Sequence, residues 1–360
     1  MKHRADIDGL RAVAVIAVLL FHADIGCSGG YVGVDVFFVI SGFLITGLIL
    51  KDLNRDRFSI VEFWERRVRR ILPALALVVF STLIAGWFLL LGRDFEALGK
   101  SVVAQVMLLS NVYFWRGSGY FARIGQDTPL LHTWSLAVEE QFYLLFPLLL
   151  IALRRLSPKA LIPAILLFSG ASFSLSVYWS YHNPNANFYL LPTRAWELLM
   201  GAFLAAYSAR RASKRWLAEI LSWSGLFAIL WSIFQYSPDT RFPGAAALLP
   251  CVGTAFLIQS NRDSLTSVGT FLATRPVVFV GLISYSLYLW HWPVLVFAEY
   301  WTIERLPLVH RVLLLLGSIG LAALSWKFVE TPFRQRTVFK TRPQVFAFAS
   351  ISAAFLLLLV

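Results

Sequence analysis

The feature that most constrains this chain is a repeating pattern of continuous apolar runs, 15 to 20 residues each, divided by short clusters of lysine and arginine. A helix of that length rises about 1.5 Å per residue and so covers the roughly 30 Å hydrocarbon core of a bilayer. Because the runs do not alternate apolar with polar residues, a transmembrane β-barrel is excluded. Charged residues make up only 14% of the chain, against about 25% in ordinary soluble domains. Thirty Phe, thirteen Trp and twelve Tyr suit both an interfacial aromatic belt and a tightly packed bundle. The predicted fold class is therefore all-α, a polytopic helical membrane protein.

Helical spans are predicted at about 9–24, 32–50, 72–91, 137–153, 160–179, 191–207, 217–234, 244–260, 277–297 and 310–328, ten in all, with an incomplete eleventh from 345. The basic clusters are Lys2 to Arg4, Lys51 to Arg70, Arg154 to Lys159, Arg210 to Arg215, Arg262 to Arg275 and Lys327 to Arg342. All of them fall on one side when the N-terminus is cytoplasmic, the orientation that the positive-inside rule selects. These loops carry most of the excess behind the net charge of +12, so the charge is no sign of nucleic-acid binding. The stretch 101–115 is apolar but short and speckled with polar residues, and a crossing there would throw every later basic cluster outside. It is predicted to be re-entrant or interfacial, within an external segment from about 92 to 136. The expected division is a membrane domain at 1–334, a cytoplasmic basic linker at 335–343, and the start of an eleventh span at 344–360 leading towards an extracytoplasmic domain missing from this chain. No cleavable signal peptide is expected, since the first apolar run leads into His22 and Asp24 without a small-residue cleavage site. Cys27 and Cys251 lack metal-ligand spacing, so neither a structural disulfide nor a zinc site is expected.

Several motifs carry polar chemistry into these spans. In the first, Arg11 and His22 are separated by ten apolar or small residues. They share one helical face roughly 16 Å apart, which places them near opposite interfaces. Ionisable groups inside a span are costly and face a cavity or a partner, although a snorkelling arginine and a packing histidine would give the same pattern. The second span opens on a glycine-rich stretch, Gly29 to Gly33, that permits close backbone approach, followed by Asp35, a carboxylate in an apolar helix. Arg66, Arg67, Arg69 and Arg70 stand at a cytoplasmic helix entrance, where guanidinium forks can grip a phosphorylated ligand; the positive-inside rule alone also explains them. His132, Ser135, Glu139 and Tyr143 fall at spacings of three and four, one helical face suited to a sugar site or to an interfacial belt. Arg194 and Glu197, three apart, either serve a site or neutralise each other near the outer interface. Ser284, Tyr288 and His291 share a face of the ninth span, with Pro293 kinking the helix. Glu330 ends the tenth span before Pro332, within reach of Arg334.

Arg11 with His22, Gly33-Val34-Asp35 with Phe37-Phe38 and Ser41-Gly42, the arginines 66–70, Trp134-Ser135-Leu136 with Glu139 and Gln141-Phe142-Tyr143, Ser284-Tyr285 through His291, and Glu330-Thr331-Pro332 together resemble the acyltransferase-3 family of membrane-bound O-acyltransferases. The match runs from about Asp8 to Arg334, nearly the whole chain. Any one of these motifs is weak, and their order and spacing make the resemblance specific. The resemblance implies a bacterial inner-membrane enzyme that takes an acyl group, usually acetyl, from cytoplasmic acetyl-CoA. The acceptor is a hydroxyl of an extracytoplasmic glycan such as lipopolysaccharide O-antigen, peptidoglycan or exopolysaccharide. It also implies that His22 is catalytic, that Arg11 is its partner, and that the arginines 66–70 contact the donor. The eleventh span resembles the subset that continues into a periplasmic SGNH-type domain, absent from this chain.

The chemistry agrees with that expectation. Acyl transfer to an alcohol needs a base or a nucleophile, and a positive clamp for the CoA phosphates. A histidine does either job near neutral pH. His22 is expected as the base, with an acyl-histidine relay as the alternative, oriented by Asp35 or Glu330. Glu139, Arg194, Glu197, Tyr288 and His291 would line the acceptor side, and Ser41, Tyr288 and Arg11 are each open as oxyanion contacts. No metal is expected, and the partners foreseen are membrane lipids, the donor and a glycan or lipid-linked glycan. No nucleophile elbow of the G-x-S-x-G kind is present, which disfavours a serine hydrolase. A transporter or flippase for a lipid-linked sugar or acyl donor is the competing class, and a glycan-binding scaffold a third; internal repeats, frequent in transporters, are absent.

Overall fold

A computed structural model describes residues 3–117, 128–207, 214–302 and 306–359. Lys2 of the first basic cluster, and Arg210 and Arg211 of the fourth, lie outside the described residues, as does part of the expected external segment. The described residues form helices and turns with no strand. Seven helices, Gly30–Leu53, Ile60–Leu89, Leu131–Arg154, Leu161–His182, Arg215–Gln235, Arg275–Glu299 and Leu308–Arg334, are long and apolar enough to cross a membrane. Gly244–Ser260 and Arg342–Leu358 are apolar but shorter. Large side chains such as Trp216, Trp223, Phe227, Trp231, Leu167 and Phe168 lie exposed on these helices. Such surfaces are stable against lipid and not against water, so the chain is a multi-pass membrane protein. Two of the expected spans stand outside both groups, and both carry candidate site residues. The first, α1 (Ala5–His22), holds Asp6, Asp8 and Arg11 within its 18 residues. The other, Leu191–Ala206, has 16 residues and holds Arg194 and Glu197.

Two compact units divide the chain. The first comprises Met1–Arg57 and Val138–Leu282. It contains α1, α2 (Gly33–Leu53), and most of a helix at Trp134–Leu156. Its remaining long helices are Leu161–His182, Leu191–Ala206, Arg215–Gln235 and Leu248–Ser260. Its tightest seam joins α2 to Leu191–Ala206. A methyl group added at Gly42 would stand 1.8 Å from the Leu198 carbonyl oxygen, and one at Gly201 would stand 2.0 Å from that of Val39. Only glycine lets the two backbones meet, the usual means of helix association where lipid supplies no hydrophobic drive. That seam carries Asp35 and Arg194 to the same depth.

The second unit comprises Phe58–Ala137 and Ile283–Val360. Its long helix α3 (Ile60–Leu89) begins where Ser59 Oγ accepts from the Glu62 backbone N–H, satisfying one of the orphan donors of a first turn. The expected re-entrant or interfacial stretch 101–115 is the end of α4 (Gly92–Val106) and the start of α5 (Ser110–Gly117). They are parted at Leu108, which sits at φ +58°, and each is too short to span. Val79 and Leu83 pack with Leu98, Val102, Leu130 and Leu356 in an apolar core. The helix Leu308–Ser325 widens into a π-turn at Trp326–Glu330 before the short helix Thr331–Arg334. Pro332 has no N–H to give the Phe328 carbonyl four residues back, which accounts for the wider turn at that point.

Candidate active site

In the first unit, α1 carries both candidates, Arg11 in its second turn and His22 at its end. Arg11 stands one turn from Asp8, Nη1 to Oδ1 3.9 Å, and Asp8 also receives His3 Nε2 at 2.7 Å. His22 is the last residue of α1, half-buried, its ring 5.3 Å from that of Phe21. Five residues on, burial pushes the Cys27 thiol up from its ordinary value.

Asp35, in the first turn of α2, meets Arg194 and Glu197 in the interior of the same unit. Arg194 Nη1 lies 3.2 Å from Asp35 Oδ1 and 3.1 Å from Glu197 Oε1, and all three side chains are at most 1% exposed. Phe38, Phe188 and Phe242 surround the guanidinium carbon at 5.3, 5.8 and 5.6 Å. Ligating atoms of Asp35, Glu197 and Cys251 lie within 4.8 Å of one another, and the cation among them is the guanidinium. A charge so placed is tolerable only when paired and ringed by π-faces. The sequence spacing gives Arg194 and Glu197 as a pair. Asp35, 159 positions earlier, joins them through the α2 seam, and Cys251 comes from the helix Leu248–Ser260, contacts that no local periodicity encodes. In this unit Ser41 and Tyr143 also join their hydroxyls in a hydrogen bond, and Glu139 is half-buried in the second turn of Trp134–Leu156.

The second unit assembles a separate buried group around Tyr288. Its hydroxyl donates to the His132 carbonyl at 2.9 Å and lies 2.8 Å from Ser135 Oγ. The His132 and His291 rings stand 5.3 and 5.5 Å from that of Tyr288 and 5.8 Å from each other. His291 Nδ1 lies 3.2 Å from the Leu287 carbonyl; a carbonyl only accepts, so Nδ1 carries the hydrogen and Nε2 is the basic nitrogen. Two imidazoles, a phenol and a serine hydroxyl can together bind and orient a hydroxylated ligand and relay a proton. Glu330, 2% exposed, accepts from Arg334 at 3.1 Å and from Ser286 Oγ at 3.2 Å.

The four arginines of α3 differ from one another. Arg69 is 3% exposed, with Nε 2.9 Å from Glu65 and Nη1 2.7 Å from the Phe339 carbonyl. Arg66 pairs with Glu62 one turn back at 3.1 Å, and Arg67 lies 5.9 Å from the Phe63 ring centroid. Arg66, Arg67 and Arg70 are half-buried. A helical repeat of about 3.6 turns Arg69 inward and leaves its neighbours on the flank, where a phosphorylated ligand could reach them.

A family profile described as an acyltransferase domain matches residues 4–327. The chain is 33% identical over 353 residues to the O-acetyltransferase OatA of Staphylococcus aureus (strain NCTC 8325 / PS 47), covering 93% of this chain and 58% of that protein. It is 32% identical over 348 residues to the putative peptidoglycan O-acetyltransferase YrhL of Bacillus subtilis (strain 168), covering 91% and 54%. The peptidoglycan O-acetyltransferase OatA of Listeria monocytogenes is 31% identical over 353 residues, covering 93% and 56%. The chain thus spans little more than half the length of these relatives. No solved structure matches it significantly. With a profile matched over residues 4–327 and the motifs of α1, α2, α3 and Arg275–Glu299 in the expected order, the chain belongs to the acyltransferase-3 family.

Proposed function

We propose that the chain is the membrane part of an O-acetyltransferase of the bacterial inner membrane, its N-terminus cytoplasmic. It takes acetyl from cytoplasmic acetyl-CoA and delivers it to a hydroxyl of a cell-envelope glycan, with peptidoglycan the acceptor to test first. The observation that carries this reading is the likeness, over 93% of the chain, to proteins named as O-acetyltransferases, one of them for peptidoglycan. The geometry supports it, because one helix holds a guanidinium and an imidazole about 16 Å apart, a separation suited to substrates that arrive from opposite faces. In the mechanism His22 takes the proton of the acceptor hydroxyl as the oxygen attacks the acetyl carbonyl. The carbon–sulfur bond then breaks, and CoA leaves as a thiolate that takes the proton from His22. In the alternative order His22 accepts the acetyl group itself and passes it on. Arg66, Arg67 and Arg70 grip the donor's phosphates, and Arg69 anchors their helix. Tyr288, His291 and Glu139 serve the acceptor. An extracytoplasmic SGNH-type domain would be the partner that receives the acetyl group where handover precedes the glycan.

The test is transfer of labelled acetyl from acetyl-CoA, outside proteoliposomes whose protein has its N-terminus outward, to peptidoglycan fragments inside. Alkali-labile label on the glycan is the expected result. Acetyl-CoA consumed with no label on any glycan, even with the longer relatives' extra domain supplied, would refute the acceptor class.

A further inference from the structure

The basic residues that follow Glu330 have no part in the chemistry above, yet within the second unit they close onto the arginine helix. Glu65 is the meeting point. Its side chain is 4% exposed, and it accepts from Arg69 Nε at 2.9 Å and from Arg342 Nε at 3.1 Å, with Arg336 Nη2 3.6 Å away. Arg69 also donates to the Phe339 carbonyl at 2.7 Å, so α3 holds the turn between Arg334 and Arg342 by its backbone as well as by its charges. That turn is strained: Arg336 and Phe339 sit at φ +59° and +50°, a region that residues with a Cβ seldom occupy.

One carboxylate facing three guanidiniums leaves the junction with an excess of positive charge. Its outer members are open to solvent, with the Arg336 and Arg342 side chains 52% and 47% exposed. Lys340 is exposed in the same turn. A strained turn that gathers like charges works against stability unless an anion completes it. Guanidinium forks match phosphate oxygens in geometry as well as in charge.

We propose that this junction is the second wall of the donor site. The 335–342 turn, clasped by Glu65 and Arg69, presents Arg336 and Arg342 to the phosphate groups of a CoA-type nucleotide whose other side is held by the arginines of α3. Glu65 is a positioning residue: it touches no ligand and fixes the guanidiniums that do. The inference rests on the acetyl-CoA reading above. The same phosphate chemistry is offered by an anionic lipid headgroup, so the test must separate the two.

The probe is CoA, titrated calorimetrically into the full chain in nanodiscs of zwitterionic lipid, and again with phosphatidylglycerol present. Arg336→Gln with Arg342→Gln alters two half-exposed side chains, and thermal unfolding checks that the fold survives. The expected result is CoA binding weakened about 10- to 100-fold in both membranes, roughly tenfold for each charge-assisted hydrogen bond to phosphate that the variant no longer makes. Glu65→Gln supplies the second readout. It removes a negative charge beside an anion site, so charge alone would tighten binding, whereas loss of the clasp weakens it; weaker binding is expected. Unchanged CoA affinity in the double variant, or tighter binding in Glu65→Gln, overturns the inference while leaving the acetyl-CoA reading intact. Loss of phosphatidylglycerol retention without loss of CoA affinity assigns the junction to lipid and overturns it equally. A wild type that binds no CoA in either membrane overturns the acetyl-CoA reading itself.

Discussion

Replacing Arg194 by methionine tests the buried charge cluster of the first unit. At an effective dielectric of about 20, unit charges at the observed 3.2 and 3.1 Å attract by about 5 kcal/mol each. The two carboxylates, with ligating atoms no more than 4.8 Å apart, repel by about 3 kcal/mol or more on the same scale. Removing the guanidinium thus turns a net attraction into a net repulsion. The measured cost of breaking buried pairs, about 3–5 kcal/mol, is the figure to expect, since the gross Coulomb change is partly relieved on relaxation. The three phenylalanine rings also give up their cation, which acts in the same direction. If the loss is electrostatic, adding Asp35→Asn and Glu197→Gln to Arg194→Met should restore much of it, because a neutral group leaves no uncompensated buried charge. The assay is reversible unfolding in mixed detergent followed by tryptophan fluorescence, run on the single and triple variants. A single variant within about 1 kcal/mol of wild type, well below the range for broken buried pairs, would refute this electrostatic reasoning. A triple variant as unstable as the single one would show that packing, not charge, sets the cost.

Gly42→Ala should cost about 1–3 kcal/mol by overpacking the α2 seam, seen as a lowered unfolding midpoint in detergent; no change would mean that the two helices part more easily than their close approach implies. Tyr288→Phe removes a hydroxyl that serves the His132 carbonyl and Ser135. Ser135 Oγ still donates to the His132 carbonyl at 3.2 Å, so neither group is left bare; the variant should lose only about 1 kcal/mol of stability, measured by the same unfolding, and should raise the KM for the glycan without altering CoA binding.

Much of the fold is legible from hydropathy alone, because a lipid solvent forces backbone groups to pair within each helix and makes apolar length the deciding variable. A helix stands at each predicted span. Its limits are less visible where polarity and helicity disagree. The third span reads as beginning near Leu72, whereas α3 starts at Ile60; the arginine cluster hides the start from hydropathy, although Ser59 three positions before Glu62 is a cap signal that marks it. The candidate residues are legible one motif at a time, and their groupings are not. Asp35 joins Arg194, and Glu65 gathers Arg336 and Arg342, across separations of 159 and more than 270 positions, through close helix packing that leaves no local periodicity. The arginines 66–70 read as one uniform patch, and only the helical phase fixed by packing distinguishes buried Arg69 from its flanking neighbours.

The proposed transfer turns on His22 at the end of α1. The most direct measurement is release of free thiol from acetyl-CoA by the protein in nanodiscs, wild type beside His22→Ala, with donor affinity measured on the same preparations. If His22 performs the transfer, His22→Ala binds acetyl-CoA as wild type does and releases thiol at least 100-fold more slowly, the lower range for loss of a general base. Thiol release at the wild-type rate by a variant that binds the donor normally would contradict that role.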